Sequence, residues 1–203
     1  MQLGIDFDNT LVCYDGVFHR VAMEKGLIPS DVPANKGSVR DYLREQGQEN
    51  LWIEIQGYVY GPGMAHAEPF PGVLEFFQAS REAGIQIRVI SHKTKHPYAG
   101  PRYDLHAAAW GWLERLGFFD EAGIGLQKSR VHLELTKQDK LIRIGAAGCT
   151  HFIDDLPEFL AEPAFPTKVQ RILFDPANGA GNSPFERAKS WAELADKFGV
   201  QLK

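Results

Sequence analysis

A chain of 203 residues, 44% of them hydrophobic, can bury one sizeable core with a smaller appendage, and fits two full domains poorly. Its net charge of −4 argues against the broad basic surface that a phosphate backbone requires, so nucleic acid is not an expected partner. The first residues reach Asp6 without a basic stretch or a long apolar run, which predicts no signal peptide, no membrane partner and a cytoplasmic location.

The run Gln2 to Phe7 reads as a short buried strand that stops at polar residues. From Tyr14 to about Pro69 the pattern becomes helical, over Val17 to Lys25, Ser38 to Gln46 and Asn50 to Tyr58, punctuated by Pro29, Pro33 and Gly61-Pro62-Gly63. This predicts a helical cap inserted at 14–69 into a core made of 1–13 and 70–203, with Pro69 to Gly72 as the re-entry. Helix and strand then alternate: helix Gly72 to Ala83, strand Ile85 to Ile90, helix Tyr103 to Leu116 and strand Val131 to Leu135. Helix Lys137 to Ala146, strand Cys149 to Ile153, strand Gln170 to Phe174 and helix Ser190 to Phe198 complete the chain. Such alternation predicts an α/β fold, a doubly wound parallel sheet with helices on both faces and a small helical cap. Ligand sites in that arrangement lie at the carboxyl ends of the strands. Cys13 and Cys149 stand far apart without metal-type spacing and read as reduced structural thiols.

The polar stops carry the chemistry. In Gly4-Ile5-Asp6-Phe7-Asp8-Asn9-Thr10, residues two apart on an extended chain point the same way, so Asp6 and Asp8 can face one site with Phe7 packed on the other side. Two such carboxylates suit nucleophilic attack on phosphorus and protonation of the departing oxygen. Alone, the segment also reads as a turn after a strand, because Asp and Asn bond their own backbone. Further on, Ser91 ends the strand Val89-Ile90-Ser91 as a hydroxyl donor. Lys137 and Lys140 lie near the start of one helix on the stripe of Leu141 and Ile144. Asp154 and Asp155 follow Phe152-Ile153, and two adjacent carboxylates at a buried strand end repel unless a positive charge lies beside them.

These four segments, in this order, resemble the phosphatases of the haloacid dehalogenase (HAD) superfamily, which carry an Asp-x-Asp-x-Thr motif, a strand-end Ser or Thr, a Lys at a helix start and a strand-end acidic pair. The resemblance implies a Rossmann-like HAD core and covers the whole sheet domain; the cap matches only by position and helical character. It implies Asp6 as the nucleophile and Asp8 as the acid that protonates the leaving group and later activates water. Thr10 and Asn9 would support the loop. Ser91 and a lysine would bind the phosphoryl group, and the helix-start position favours Lys137 over Lys140. Mg2+ would be held by Asp6, the Asp8 carbonyl and the acidic pair, with Asp155 ligating directly and Asp154 orienting its neighbours; Glu158 is a weaker candidate. His92 stands where the family often has a small or amide residue.

Outside the motifs, Lys93, Lys95, His96 and Arg102 suggest a basic rim, and Trp52, Tyr58 and Tyr60 suggest either a pocket lining or core. The expected activity is magnesium-dependent hydrolysis of a small phosphorylated metabolite through an aspartyl-phosphate. A phosphomutase or other phosphotransferase using the same residues is one alternative, and a non-catalytic HAD-like binding module is another. A dehalogenase has no leaving oxygen to protonate, so Asp8 speaks against it.

Overall fold

A computed structural model describes residues 1–202. Its strands are β1 (Gln2–Ile5), β2 (Val12–Cys13), β3 (Glu68–Pro69), β4 (Gln86–His92), β5 (Val131–Glu134), β6 (His151–Asp154), β7 (Gln170–Phe174) and β8 (Glu186–Ala188). The helices are α1 (Asp15–Glu24), α2 (Lys36–Glu45), α3 (Glu49–Tyr60), α4 (Val73–Glu82), α5 (Leu105–Arg115), α6 (Lys137–Ala146), α7 (Pro157–Leu160) and α8 (Trp191–Phe198). Six strands form one parallel sheet in the order β5-β4-β1-β6-β7-β8. Strand order runs outward from β1 through β4 to β5, then returns to β6 on the other side of β1. That reversal makes the space beside the carboxyl end of β1 a topological switch point. Helices α1, α2 and α3 are inserted between β2 and β3, so the α/β sheet core with a helical insertion after the first strand is what the chain forms.

Packing divides the chain into two compact units. The first comprises Met1–Val12, Pro69–His92 and the residues from Gly117 onward; the second comprises Cys13–Glu68 and Lys93–Leu116. The second unit thus holds α5, which the alternation assigns to the sheet domain. The reason is local to that unit: the Trp112 indole N–H donates to the Ala67 carbonyl at 2.8 Å, and Arg115 donates to the same oxygen at 3.0 Å. Burying Trp112 against the end of the insertion outweighs its sequence position in a strand-helix series.

Within the sheet unit, successive residues of a strand face opposite layers. Phe174 meets Trp191 of α8, with ring centroids 5.8 Å apart, and Trp191 in turn meets Phe76 of α4 at 5.0 Å. Leu173, one residue earlier, joins the opposite layer with Ile90, Leu141, Ile144, Phe152, Phe159 and Phe165. Helix α6 starts at Thr136, whose hydroxyl accepts from Asp139 N–H at 3.0 Å, and α8 starts at Ser190, whose hydroxyl accepts from Glu193 N–H at 3.2 Å. Each cap satisfies a backbone donor left over by helix geometry. Beyond β7, Asp175 accepts from the backbone N–H groups of Gly179 and Ala180, and Arg187 of β8 donates to the Asn178 side chain at 2.9 Å, closing the Gly- and Asn-rich loop on itself.

Both cysteines are free. Burial pushes the Cys149 thiol up to about 11, so it is an inert packing group at neutral pH. It shares with Phe152 the space around Gly4, where an added Cβ would lie 2.5 Å from a Phe152 ring carbon and 2.9 Å from the Cys149 sulfur. Only glycine lets β1 sit this close to that layer, so Gly4→Ala should lower stability by about 1–3 kcal/mol, read as a fall in the urea midpoint at unchanged m-value. An unchanged midpoint would show that the layer yields.

Candidate functional site

Three neighbouring strands bring the site together. Ile5, the last residue of β1, is in register with Val89 of β4 on one side and Ile153 of β6 on the other. Asp6 N–H still donates to the Ile153 carbonyl at 2.9 Å, which holds Asp6 at the strand end next to Asp154. The chain then turns sharply: the Phe7 carbonyl accepts from Leu11 N–H at 3.0 Å and Val12 N–H at 3.1 Å, and Asn9 takes the left-handed conformation with φ 56°. Asn tolerates that region better than most residues, which accounts for an amide here. Phe7 is fully buried, while Asp8 is half-buried at a parallel bridge to Val12.

Thr10 supports this loop differently from the sequence expectation. Its hydroxyl is buried and finds no hydrogen-bond partner among the described residues; its carbonyl instead accepts the Trp191 indole N–H at 3.2 Å. A backbone acceptor therefore ties the loop to α8.

The carboxylates of Asp6, Asp154 and Asp155 offer oxygen atoms all within 4.8 Å of one another. Among them sits a buried cation. Lys140 Nζ donates to Asp6 Oδ1 and to Asp154 Oδ2, both at 2.6 Å. Asp154 Oδ1 meanwhile accepts from Leu156 N–H at 2.9 Å, so both of its oxygens are committed. Burial alone would lower the Lys140 pKa, but the charges of Asp154 and Asp6 outweigh it and raise it, so the ammonium keeps its proton. Burial raises the Asp154 carboxyl against the opposing pull of Lys140.

This settles which helix lysine reaches the cluster. Lys137 lies exposed at the first position of α6, whereas Lys140 shares the inward stripe with Leu141 and Ile144. The preference for Lys137 is therefore corrected: both lie on one helix face, but Lys137 at the first helical position is exposed, and Lys140, one turn further along α6, is buried against Asp6 and Asp154. Glu158 is exposed and is not part of the carboxylate group.

Ser91 is buried near the end of β4, in register with Leu133 of β5. His92 follows it half-buried; its burial, and then the charge of Lys140, hold its pKa below the ordinary histidine value, so it is neutral at pH 7.

The residues expected to form a basic rim belong to the second unit. Lys93 is buried with its ammonium 5.0 Å from the Tyr60 ring centroid. His96 Nδ1 lies 2.9 Å from the Tyr103 carbonyl, while Lys95 and Arg102 are exposed. Trp52 is buried against Phe18 at 4.9 Å, and Tyr60 packs on Tyr14 at 5.0 Å, so both take part in the helical unit's own core; Tyr58 meets Tyr103 edge-on at 6.2 Å.

No protein-family model matches the chain, and no curated protein does. Solved structures do match it along nearly its whole length. A HAD-superfamily hydrolase from Ehrlichia chaffeensis superposes with a TM-score of 0.57 at 11% identity, covering 98% of this chain and 95% of that one. A HAD family hydrolase from Deinococcus radiodurans R1, with bound phosphate and sodium, gives 0.56 at 15% identity over 100% and 98%. Protein Tyrosine Kinase A (PtkA) from Mycobacterium tuberculosis gives 0.61 at 16% identity over 98% of both chains. This chain has the HAD-superfamily hydrolase fold. At such identities the likeness speaks for the HAD fold and leaves the chemistry to the side chains. In this HAD fold those side chains are three clustered carboxylates and one buried ammonium, with a strand-end serine on the neighbouring strand. No described helix is long and apolar enough to cross a membrane.

Three contributors escaped sequence reasoning. Trp191, which holds the Thr10 carbonyl, reads as the apolar start of a helix and nothing more. Phe159 and Phe152, whose rings lie 4.1 and 5.4 Å from Lys140 Nζ, read as core. Only the proline at the first position of α7 hinted that a helical turn would place Phe159 beside the acidic pair.

Proposed function

We propose that the chain is a magnesium-dependent phosphomonoester hydrolase acting on a small phosphorylated metabolite through an aspartyl-phosphate on Asp6. The observation that carries this reading is the carboxylate cluster at the end of β1 and β6. Asp6, Asp154 and Asp155 offer oxygen atoms within 4.8 Å of one another, and carboxylate oxygens are the ligands Mg2+ prefers. The donor set therefore fits the ion. Asp6 and Asp155 would hold it together with the Asp8 carbonyl, since Asp154 has both oxygens engaged by Lys140 and Leu156 N–H. Bound there, Mg2+ supplies charge neutralisation between an anionic nucleophile and an anionic phosphoryl group.

The remaining work falls to the chain. Asp6 attacks phosphorus, forming an oxygen–phosphorus bond as the ester bond to the leaving oxygen breaks, and Asp8 gives that oxygen its proton. Asp8, now ionised, takes a proton from water, which attacks the aspartyl-phosphate and releases inorganic phosphate and free Asp6. Lys140 orients the Asp6 carboxylate and opposes the charge on the transferred group, and the Ser91 hydroxyl donates to a phosphoryl oxygen.

Beryllium fluoride, which adds to a carboxylate as a phosphoryl mimic, tests the site without knowledge of the substrate. With Mg2+ present it should give a bound 19F signal and raise the melting temperature; without Mg2+ it should do neither. A folded protein that forms no magnesium-dependent adduct would overturn the assignment. A panel of phosphorylated metabolites then identifies the substrate by phosphate release.

A further inference from the structure

The Lys140 ammonium is enclosed more completely than two carboxylates require. It has three N–H donors. Two go to Asp6 and Asp154, and no third hydrogen bond is made among the described residues. The Phe159 ring centroid lies 4.1 Å from Nζ, well inside the range at which a ring attracts a cation, with the Phe152 ring behind it at 5.4 Å. The Phe159 ring is itself wedged against Phe165 and Phe152, with centroids 5.8 and 6.1 Å away. It stands four residues after Asp155 on the short helix that Pro157 begins, so one rigid segment carries both the acidic pair and the ring.

We infer that Phe159 is a positioning residue, whose ring face fixes the Lys140 ammonium between Asp6 and Asp154. Its role in turnover rests on the hydrolase reading above. In that reaction the charge on Asp6 changes: the carboxylate becomes an acyl phosphate and then is regenerated. An ammonium held by carboxylates alone would shift with each change, because the charge of one partner, Asp6, changes while that of Asp154 does not. The ring is a neutral partner whose attraction for the cation is the same in every state, and burial beside it keeps that attraction undiluted by water. Leucine at 159 would fill most of the space and supply none of this attraction.

Phenylalanine analogues carrying one, two and three fluorines, placed at position 159, weaken the ring's negative face stepwise with little change in volume. With an aryl phosphate substrate kcat should fall stepwise to about one tenth at three fluorines, with KM and melting temperature nearly constant. A flat series would show that the ring merely fills space. Independently of turnover, the Lys140 ε-methylene resonance should be displaced upfield by the ring and return toward the ordinary lysine position in Phe159→Leu. An unmoved resonance overturns the inference even in an active enzyme. A moved resonance in a protein that hydrolyses no phosphate ester would retain the placement of Lys140 and reject the hydrolase reading instead.

Discussion

Asp6→Asn should abolish magnesium-dependent phosphate release from an aryl phosphate, lowering kcat on the order of 10³-fold or more while the protein stays folded. An amide oxygen can still accept from Lys140, so the geometry around the buried ammonium is retained and the change isolates nucleophilicity. The neutral amide also removes one of the three carboxylate charges of the cluster and weakens the attraction for Mg2+. Raising the Mg2+ concentration should therefore restore metal binding without restoring turnover. Circular dichroism and the melting temperature report the fold. Retained hydrolysis in this variant would remove Asp6 from the nucleophile's role, and with it the aspartyl-phosphate.

How far the sequence carried this site depended on which geometry each residue needed. Strand residues were legible because a buried parallel strand is a short apolar run whose end is marked by the first polar residue. Asp6, Ser91 and Asp154 are such ends, and β7 spans the run Gln170 to Phe174 as read. Helix α6 was equally plain, spanning Lys137–Ala146 as read. The choice between Lys137 and Lys140 was not, since both fit the same stripe and only the rotation of α6 against the sheet separates a solvated N-terminal lysine from a buried one. Edge strand β8 was missed because Glu186-Arg187-Ala188 has neither an apolar run nor alternation; its pairing with β7 comes from tertiary context. Helix Tyr103 to Leu116 read as part of the strand-helix alternation, yet α5 packs with the insertion, an outcome set by Trp112 finding an acceptor at Ala67. Thr10 was expected to support the loop; the Trp191 indole reaches its carbonyl, and a carbonyl is invisible in a side-chain pattern.

Lys140→Met should cost about 3–5 kcal/mol in unfolding free energy measured in EDTA, the largest stability loss expected of any change at the site. Methionine keeps much of the lysine's length and can rest on the Phe159 ring, so packing is largely preserved and the loss is electrostatic. Without the ammonium, Asp6 and Asp154 remain as two buried carboxylates whose shared partner is gone, with Asp155 close by. The cluster becomes one unit more negative, which reverses the usual expectation that removing a buried ion helps an apolar environment. Added Mg2+ should then stabilise the variant by more than it stabilises the wild type, because the ion now offsets repulsion that Lys140 had offset. Pairing the change with Asp154→Asn should recover part of the loss, since the two effects act on one contact and are not additive. A loss below about 1 kcal/mol for Lys140→Met, with no added response to Mg2+, would mean that the carboxylates are not jointly ionised in the folded state. The ionised carboxylates on which the magnesium assignment rests would then be absent.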